Sequence, residues 1–207
     1  MAATNFKTAI SIIDMEHAKD PTKKSVKGQD SQDTTEVPYE LYYAQQMTHY
    51  LSLREPNASP ILHVAIRAQH FRRWDTPRDS YPKTREGYLK WRFDAKNKQA
   101  DETYKICKDQ CDFTEEEAKE VAALIKKKDL KKNVETQILE DVACLVFLDD
   151  QFAQFEEDLR ERDFDERKII NIVQKTWGKM SEKGHELALQ ISMDDKCKEL
   201  IGKALAG

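Results

Sequence analysis

Apolar positions recur along most of the chain at helical spacing, and polar punctuation separates the runs. Residues 5–19 place Phe6, Ile10, Ile12, Ile13 and Ala18 on an amphipathic helix that stops before Pro21. Residues 20–36 hold only one aliphatic residue, Val26, among Lys, Gln, Asp, Ser and Thr, and read as a mobile loop. A helix follows from Pro38 through Leu41, Ala44, Met47 and Leu51, and Pro56 and Pro60 bracket a turn. The next helix runs from Pro60 to about Trp74, and 75–83 form a loop with two prolines. Thr84 caps a long helix through Tyr88, Trp91, Ala95, Tyr104 and Ile106. Thr114 to Glu117 form a capping box for a further helix. Residues 133–158 make one helix, apolar on most sides between Val142 and Leu148, which is the mark of a central helix. Asp165 starts a helix to Trp177, and a turn at Gly184 leads to two short closing helices ending near Leu205. No stretch alternates apolar and polar residues, so little or no sheet is expected. The pattern predicts an all-α fold: one globular bundle of about eight helices over residues 1–207.

Composition sharpens this picture. A chain of 207 residues can bury a full core without disulfides or a structural metal. Charged residues make up 35% of it, with only six Gly and six Pro, as amphipathic helices with solvated outer faces require. The net charge of -4 argues against nucleic acid as a partner. Cys107, Cys111, Cys144 and Cys197 match no zinc spacing and are expected as reduced thiols. No apolar run approaches the ~20 residues of a membrane span, so no membrane partner is expected. Cytoplasmic localisation follows as the default, with the nucleus as the alternative.

Charge is not evenly spread. Between Arg67 and Arg92 lie eight basic residues against three acids, and six of the eight are arginine. A guanidinium binds phosphate or carboxylate through two parallel hydrogen bonds, which Lys cannot do. Trp74, Tyr81, Tyr88 and Trp91 interleave with these charges and offer ring faces. On a continuous helix 60–74, His63, Arg67, His70 and Trp74 share one narrow sector at 100° per residue. That stripe either faces solvent or lines a pocket. Glu140 and Asp141 head an apolar run, and buried carboxylates there must be paired, hydrogen-bonded or metal-bound.

The stretches Ala68 to Trp74, Pro77-Arg78, Ser80 to Pro82, Gly87 to Arg92, Leu139 to Leu148 and Lys175 through His185 resemble an uncharacterised bacterial and fungal family, domain of unknown function 4202. The likeness spans about residues 5–206. A more distant resemblance is to the HD phosphohydrolases, in which Glu40, Gln69-His70 and Asp141 match the metal-binding positions by order and spacing. Here Glu40 replaces a His, and Gln69-His70 replaces His-Asp. The resemblance implies an HD-like fold. It also implies a single divalent metal (Mn, Fe, Mg or Zn) held by Glu40, His70 and Asp141. On this reading Glu140, His63 and Arg73 are catalytic. Arg67, Arg72, Trp74, Arg78, Tyr81, Trp91, Lys179 and His185 bind the substrate. Lys179 to Lys183 is similar to the KMSKS loop of class I aminoacyl-tRNA synthetases, but no nucleotide-binding α/β pattern accompanies it. Two functions remain open: a metal-dependent hydrolase acting on a phosphate-bearing small molecule or nucleotide, and a metal-free helical module binding an anionic small molecule.

Overall fold

The computed structural model describes residues 3–27, 34–161 and 165–206. Ten α-helices occur among these residues, where the sequence suggests about eight. They are α1 (Ala3–His17), α2 (Tyr39–Arg54), α3 (Pro60–Arg67), α4 (Arg85–Gln110), α5 (Glu115–Ile125), α6 (Val134–Val146), α7 (Phe152–Glu161), α8 (Glu166–Trp177), α9 (Glu182–Ala188) and α10 (Asp195–Ala206). Their starts follow local chemistry. Ser59, Thr84, Thr114, Asn133, Asp165 and Ser181 each accept a hydrogen bond from a backbone N–H of the first turn. The Thr114–Glu117 capping box forms in both directions. Pro38, at the head of α2, has no side-chain acceptor. Asp20 supplies one from a distance: its Oδ2 accepts from Glu40 N at 2.9 Å.

Helix α6 sits at the centre, with Ile138 to Val142 and Cys144 to Val146 all buried. It runs antiparallel to α2, because Arg54 at the end of α2 pairs with Asp141 while Tyr39 at its start meets Gln151 beyond α6. Phe71, Met47, Leu51, Leu62, Ile66, Leu124, Leu139 and Leu145 fill the space among α2, α3, α5 and α6. The buried apolar residues from α1 to α10 form one continuous cluster. All four cysteines are buried free thiols. No helix among the described residues is long and apolar enough to cross a membrane.

Four sequence expectations need correction. The segment 20–36 is not a plain loop. Two short strands, β1 (Lys23–Lys27) and β2 (Thr34–Pro38), pair antiparallel with Lys23 opposite Pro38 and Lys27 opposite Thr34. Residues 28–33 of that expected loop lie outside the described residues. Val26, Thr34, Thr35 and Val37 favour strand locally, but the lysines mask the alternation. Residues 133–158 are two helices joined by a π-helical turn, Phe147–Gln151. Gly184 is not a turn. It lies inside α9, where a Cβ would come within 2.9 Å of the Asp141 carboxyl.

The fourth correction matters most for function. The helix begun at Pro60 ends at Arg67 rather than Trp74. His70 (φ 61°) and Arg72 (φ 47°) take left-handed backbone, and a short 3-10 turn follows at Arg73–Asp75. No Gly or Pro marks this break. Each left-handed non-Gly residue costs about 1–2 kcal/mol. Burial of Phe71 and the stacking of His70 on Tyr43 offset that cost.

Asp141 accepts four hydrogen bonds in the interior. It has no exposure. Arg54 Nε donates to Oδ2 at 2.8 Å and Ser181 Oγ to Oδ2 at 2.6 Å. Ser181 N donates to Oδ1 at 2.8 Å and Gln137 Nε2 to Oδ1 at 3.0 Å. One carboxylate thus ties α2, α6 and the head of α9 together. Replacing Asp141 by Ala leaves the Arg54 guanidinium buried without its counter-charge, so the variant should lose about 3–5 kcal/mol of stability. Chemical denaturation measures this directly. A parent-like midpoint would show that the network contributes nothing.

Candidate functional site

The strained turn after α3 brings three of the sequence candidates together. Glu40, in the first turn of α2, points its Oε2 at His70 Nδ1 across 3.5 Å. Both atoms are buried and neither has a hydrogen-bond partner. The His70 ring stacks on Tyr43, one turn beyond Glu40, with centroids 4.1 Å apart and planes 9° from parallel. The Arg73 guanidinium lies over Trp91 of α4, 4.6 Å from the ring centroid. Its charge acts on Glu40, Tyr43 and His70. No described residue accepts a hydrogen bond from it.

Electrostatics follow from burial. Loss of water pushes the Glu40 carboxyl up to about 8, although Arg73 pulls it down. The carboxyl therefore holds its proton at neutral pH. Burial, with the added charges of Arg73, Lys127 and Arg92, holds His70 well below the ordinary imidazole value, so it is neutral. A protonated carboxyl thus faces an imidazole nitrogen just beyond bonding distance. Burial also draws Arg73 below its ordinary value.

Glu140, on the neighbouring face of α6, behaves differently. Burial opposes its charge, but Lys127 at 2.6 Å and Lys179 at 3.5 Å overcome this and hold it below the usual carboxylate range. Glu140 is therefore an ionised partner of two lysines. Its ion pairs thus come from α5's end and from Lys179, not from an arginine of the basic segment.

The remaining candidates are placed elsewhere. Asp141 is not beside Glu40 and His70. Its partner Arg54 lies fourteen residues beyond Glu40 on α2, about 21 Å along the helix axis. Glu40, His70 and Asp141 therefore do not fit as ligands of one metal ion, and no cluster of three or more metal-ligating side chains occurs among the described residues. His63 faces a groove of about 560 Å³ with Phe6, Ile10 and Met15, away from His70, because the broken helix removes the common stripe. Arg67 is consumed by structure: it forms a two-point ion pair with Asp14 at 2.6 and 2.9 Å and donates to Ala44 O and Thr48. Arg72 pairs with Asp75 at 2.8 Å. Arg78 donates to the carbonyls of Tyr81 and Pro82, both at 2.9 Å, and so braces its own loop. Tyr81 donates to Asp94, and Trp91 Nε1 to Thr76 O, tying that loop to α4. Trp74 is half-buried on the 3-10 turn. His185 stacks on Trp177 and donates from Nε2 to its carbonyl at 2.9 Å.

Sequence reasoning did not find Tyr43, Lys96, Lys127 or His17. Tyr43 sits three residues after Glu40, a spacing that could have exposed it. His17 is fully buried, donates to Arg67 O at 3.0 Å, and is pushed down to about 4 by burial.

A family model described as a domain of unknown function, DUF4202, matches residues 7–201. The chain belongs to the DUF4202 family. The match covers every helix carrying the Glu40–His70–Arg73 cluster, so the cluster is a feature of this family member's matched region and not of an appendage. No curated protein and no solved structure matches the chain.

The two buried groups set opposite pH dependences. In the unfolded chain Glu40 ionises above about 4.5, whereas the folded site holds its proton to about 8. Its favourable contribution is complete below 4.5 and is lost as pH rises to about 8. Glu40→Gln keeps the shape and cannot ionise. It should therefore be more stable than the parent near pH 8 and lose that advantage near pH 4.5. His17 acts in the reverse sense, costing stability as pH falls from 6.5 towards 4. Thermal melts across this range check both, and an advantage of Glu40→Gln that is flat with pH would contradict a protonated Glu40.

Proposed function

We propose that this chain binds a small anionic molecule at Arg73, beside the Glu40–His70 pair. The observation that carries the reading is a half-buried guanidinium that has no acceptor among the described residues. Arg54 and Arg67, the other sheltered arginines, spend their donors on Asp141 and Ser181, and on Asp14, Ala44 O and Thr48. Arg73 stacks on Trp91 and donates to nothing described. Its donors are therefore open to a bound phosphate or carboxylate, which a guanidinium holds through two parallel hydrogen bonds. Two left-handed residues, His70 and Arg72, precede it, and strain of this kind is concentrated at ligand-binding sites.

A second reading, a metal-dependent hydrolase with an HD-like fold acting on a phosphate-bearing substrate, rests on Glu40 Oε2 and His70 Nδ1. These are two potential ligand atoms, both buried and without a hydrogen-bond partner, 3.5 Å apart. Metal content of protein purified without a His tag, compared with that of Glu40→Gln, tests this reading.

Arg73→Ala should weaken binding of inorganic phosphate by about tenfold or more, the value of one lost charge-assisted contact. Arg73→Lys should lose nearly as much, because the charge survives without the planar fork. The same Arg73→Ala change should leave the melting temperature equal or higher, since it removes a desolvated charge. Calorimetric titration and a thermal melt measure the pair. Unchanged phosphate affinity in both variants would refute the site.

A further inference from the structure

The Arg73 guanidinium does not stand alone. Arg92 follows Trp91 directly on α4, and Lys96 lies one turn further along the same face. Lys127, just past the end of α5, reaches in to Glu140 at 2.6 Å, and Lys179 approaches the same carboxylate at 3.5 Å. Arg92 bonds only the Tyr88 hydroxyl, at 3.3 Å, and no described carboxylate pairs with Arg92 or Lys96. The positive charges bear on one another and on the site. Arg92 and Lys127 both oppose a charge on Lys96, and both oppose a charge on His70. Five cations thus converge around two carboxyls, of which Glu40 is neutral and only Glu140 is ionised. By contrast, most lysines of the outer surface of α4, such as Lys90 and Lys98, have an acid within one turn.

Resting on the Arg73 reading above, we propose that the ligand carries at least two adjacent phosphates, with one seated on Arg73 and the next held by Arg92, Lys96 and Lys127. The reason is charge balance. A single phosphate on Arg73 would leave Arg92 without a counter-ion and Lys96 sharing the one charge of Glu140 with Lys127 and Lys179. A diphosphate spans from the Trp91 stack to the next helical turn and matches the excess. Lys127 remains bonded to Glu140 and contributes its remaining donors, and Glu140 fixes where that ammonium points. The diphosphate comes either as the free inorganic ion or as part of an organic molecule, and the site recognises the chemistry they share.

The test compares inorganic phosphate, pyrophosphate and a nucleoside diphosphate by calorimetry at one fixed ionic strength, on the parent chain and on Arg73→Ala, Lys96→Gln and Arg92→Gln. Pyrophosphate should bind the parent about tenfold or more tighter than phosphate, as one further charge-assisted contact provides. Lys96→Gln and Arg92→Gln should each shrink that preference several-fold and leave phosphate affinity nearly unchanged. Both positions are outside the buried core, and a parent-like melt for each verifies that the fold is intact. A nucleoside diphosphate that binds tighter than pyrophosphate supports the proposal with an organic carrier, and equal binding supports it with the free ion. Equal affinity of the parent for phosphate and pyrophosphate overturns the diphosphate proposal while leaving the Arg73 reading standing. Binding of pyrophosphate that is indifferent to Arg73→Ala overturns both.

Discussion

Placing a carboxylate in the middle of a helical bundle is the constraint from which most of this architecture follows. Asp141 has no water, so every lone pair must be met from within the protein. Arg54 from the end of α2, Gln137 from one turn earlier on α6, and Ser181 at the head of α9 meet them. These contacts fix the axial register of α2 against α6. They also require Gly184, because a Cβ there would strike the carboxyl. With the far end of α2 locked in this way, its first turn is carried to the opposite end of α6, where Glu40 meets His70.

That division separates two kinds of buried charge. At the Asp141 end, each donor and acceptor is matched, and the network is structural. At the Glu40 end, His70 Nδ1 and Glu40 Oε2 lack hydrogen-bond partners, the half-buried Arg73 has no acceptor among the described residues, and the backbone is strained at His70 and Arg72. Protein interiors tolerate few such defects. Two of the five such buried atoms among the described residues lie together here, beside the basic residues Arg92, Lys96 and Lys127; the others belong to His17, Glu102 and Asp150. The basic segment noticed in the sequence is therefore split. Arg67, Arg72 and Arg78 are spent on Asp14, Asp75 and backbone carbonyls, while Arg73 and Arg92 are left facing the unmatched pair.

The Asp20 contact shows the same economy at the level of a single helix. Pro38 cannot cap α2, so a carboxylate from the turn after α1 does so across eighteen residues of chain, and the hairpin β1–β2 fills the gap between them. Lys24 on that hairpin pairs with Asp150 in the π-helical turn after α6, which anchors the excursion to the central helix.

The sequence by itself determined the helical class, the capped starts of most helices, the central burial of α6 and the enclosure of Glu140 and Asp141. These follow from periodicity and capping chemistry, which are local and act within a few residues. It also marked Glu40, His70 and Arg73 by residue type. Only the tertiary structure decided that Asp141 belongs to Arg54, that His63 and His70 face different sides, and that Arg73, stacked on Trp91, is left without an acceptor among the described residues. The helix break after Arg67 is the reason. Nothing local encodes it, since no Gly or Pro stands there. It arises because burying Phe71 and stacking His70 on Tyr43 together outweigh two left-handed residues, and that balance exists only once α2 and α3 are packed.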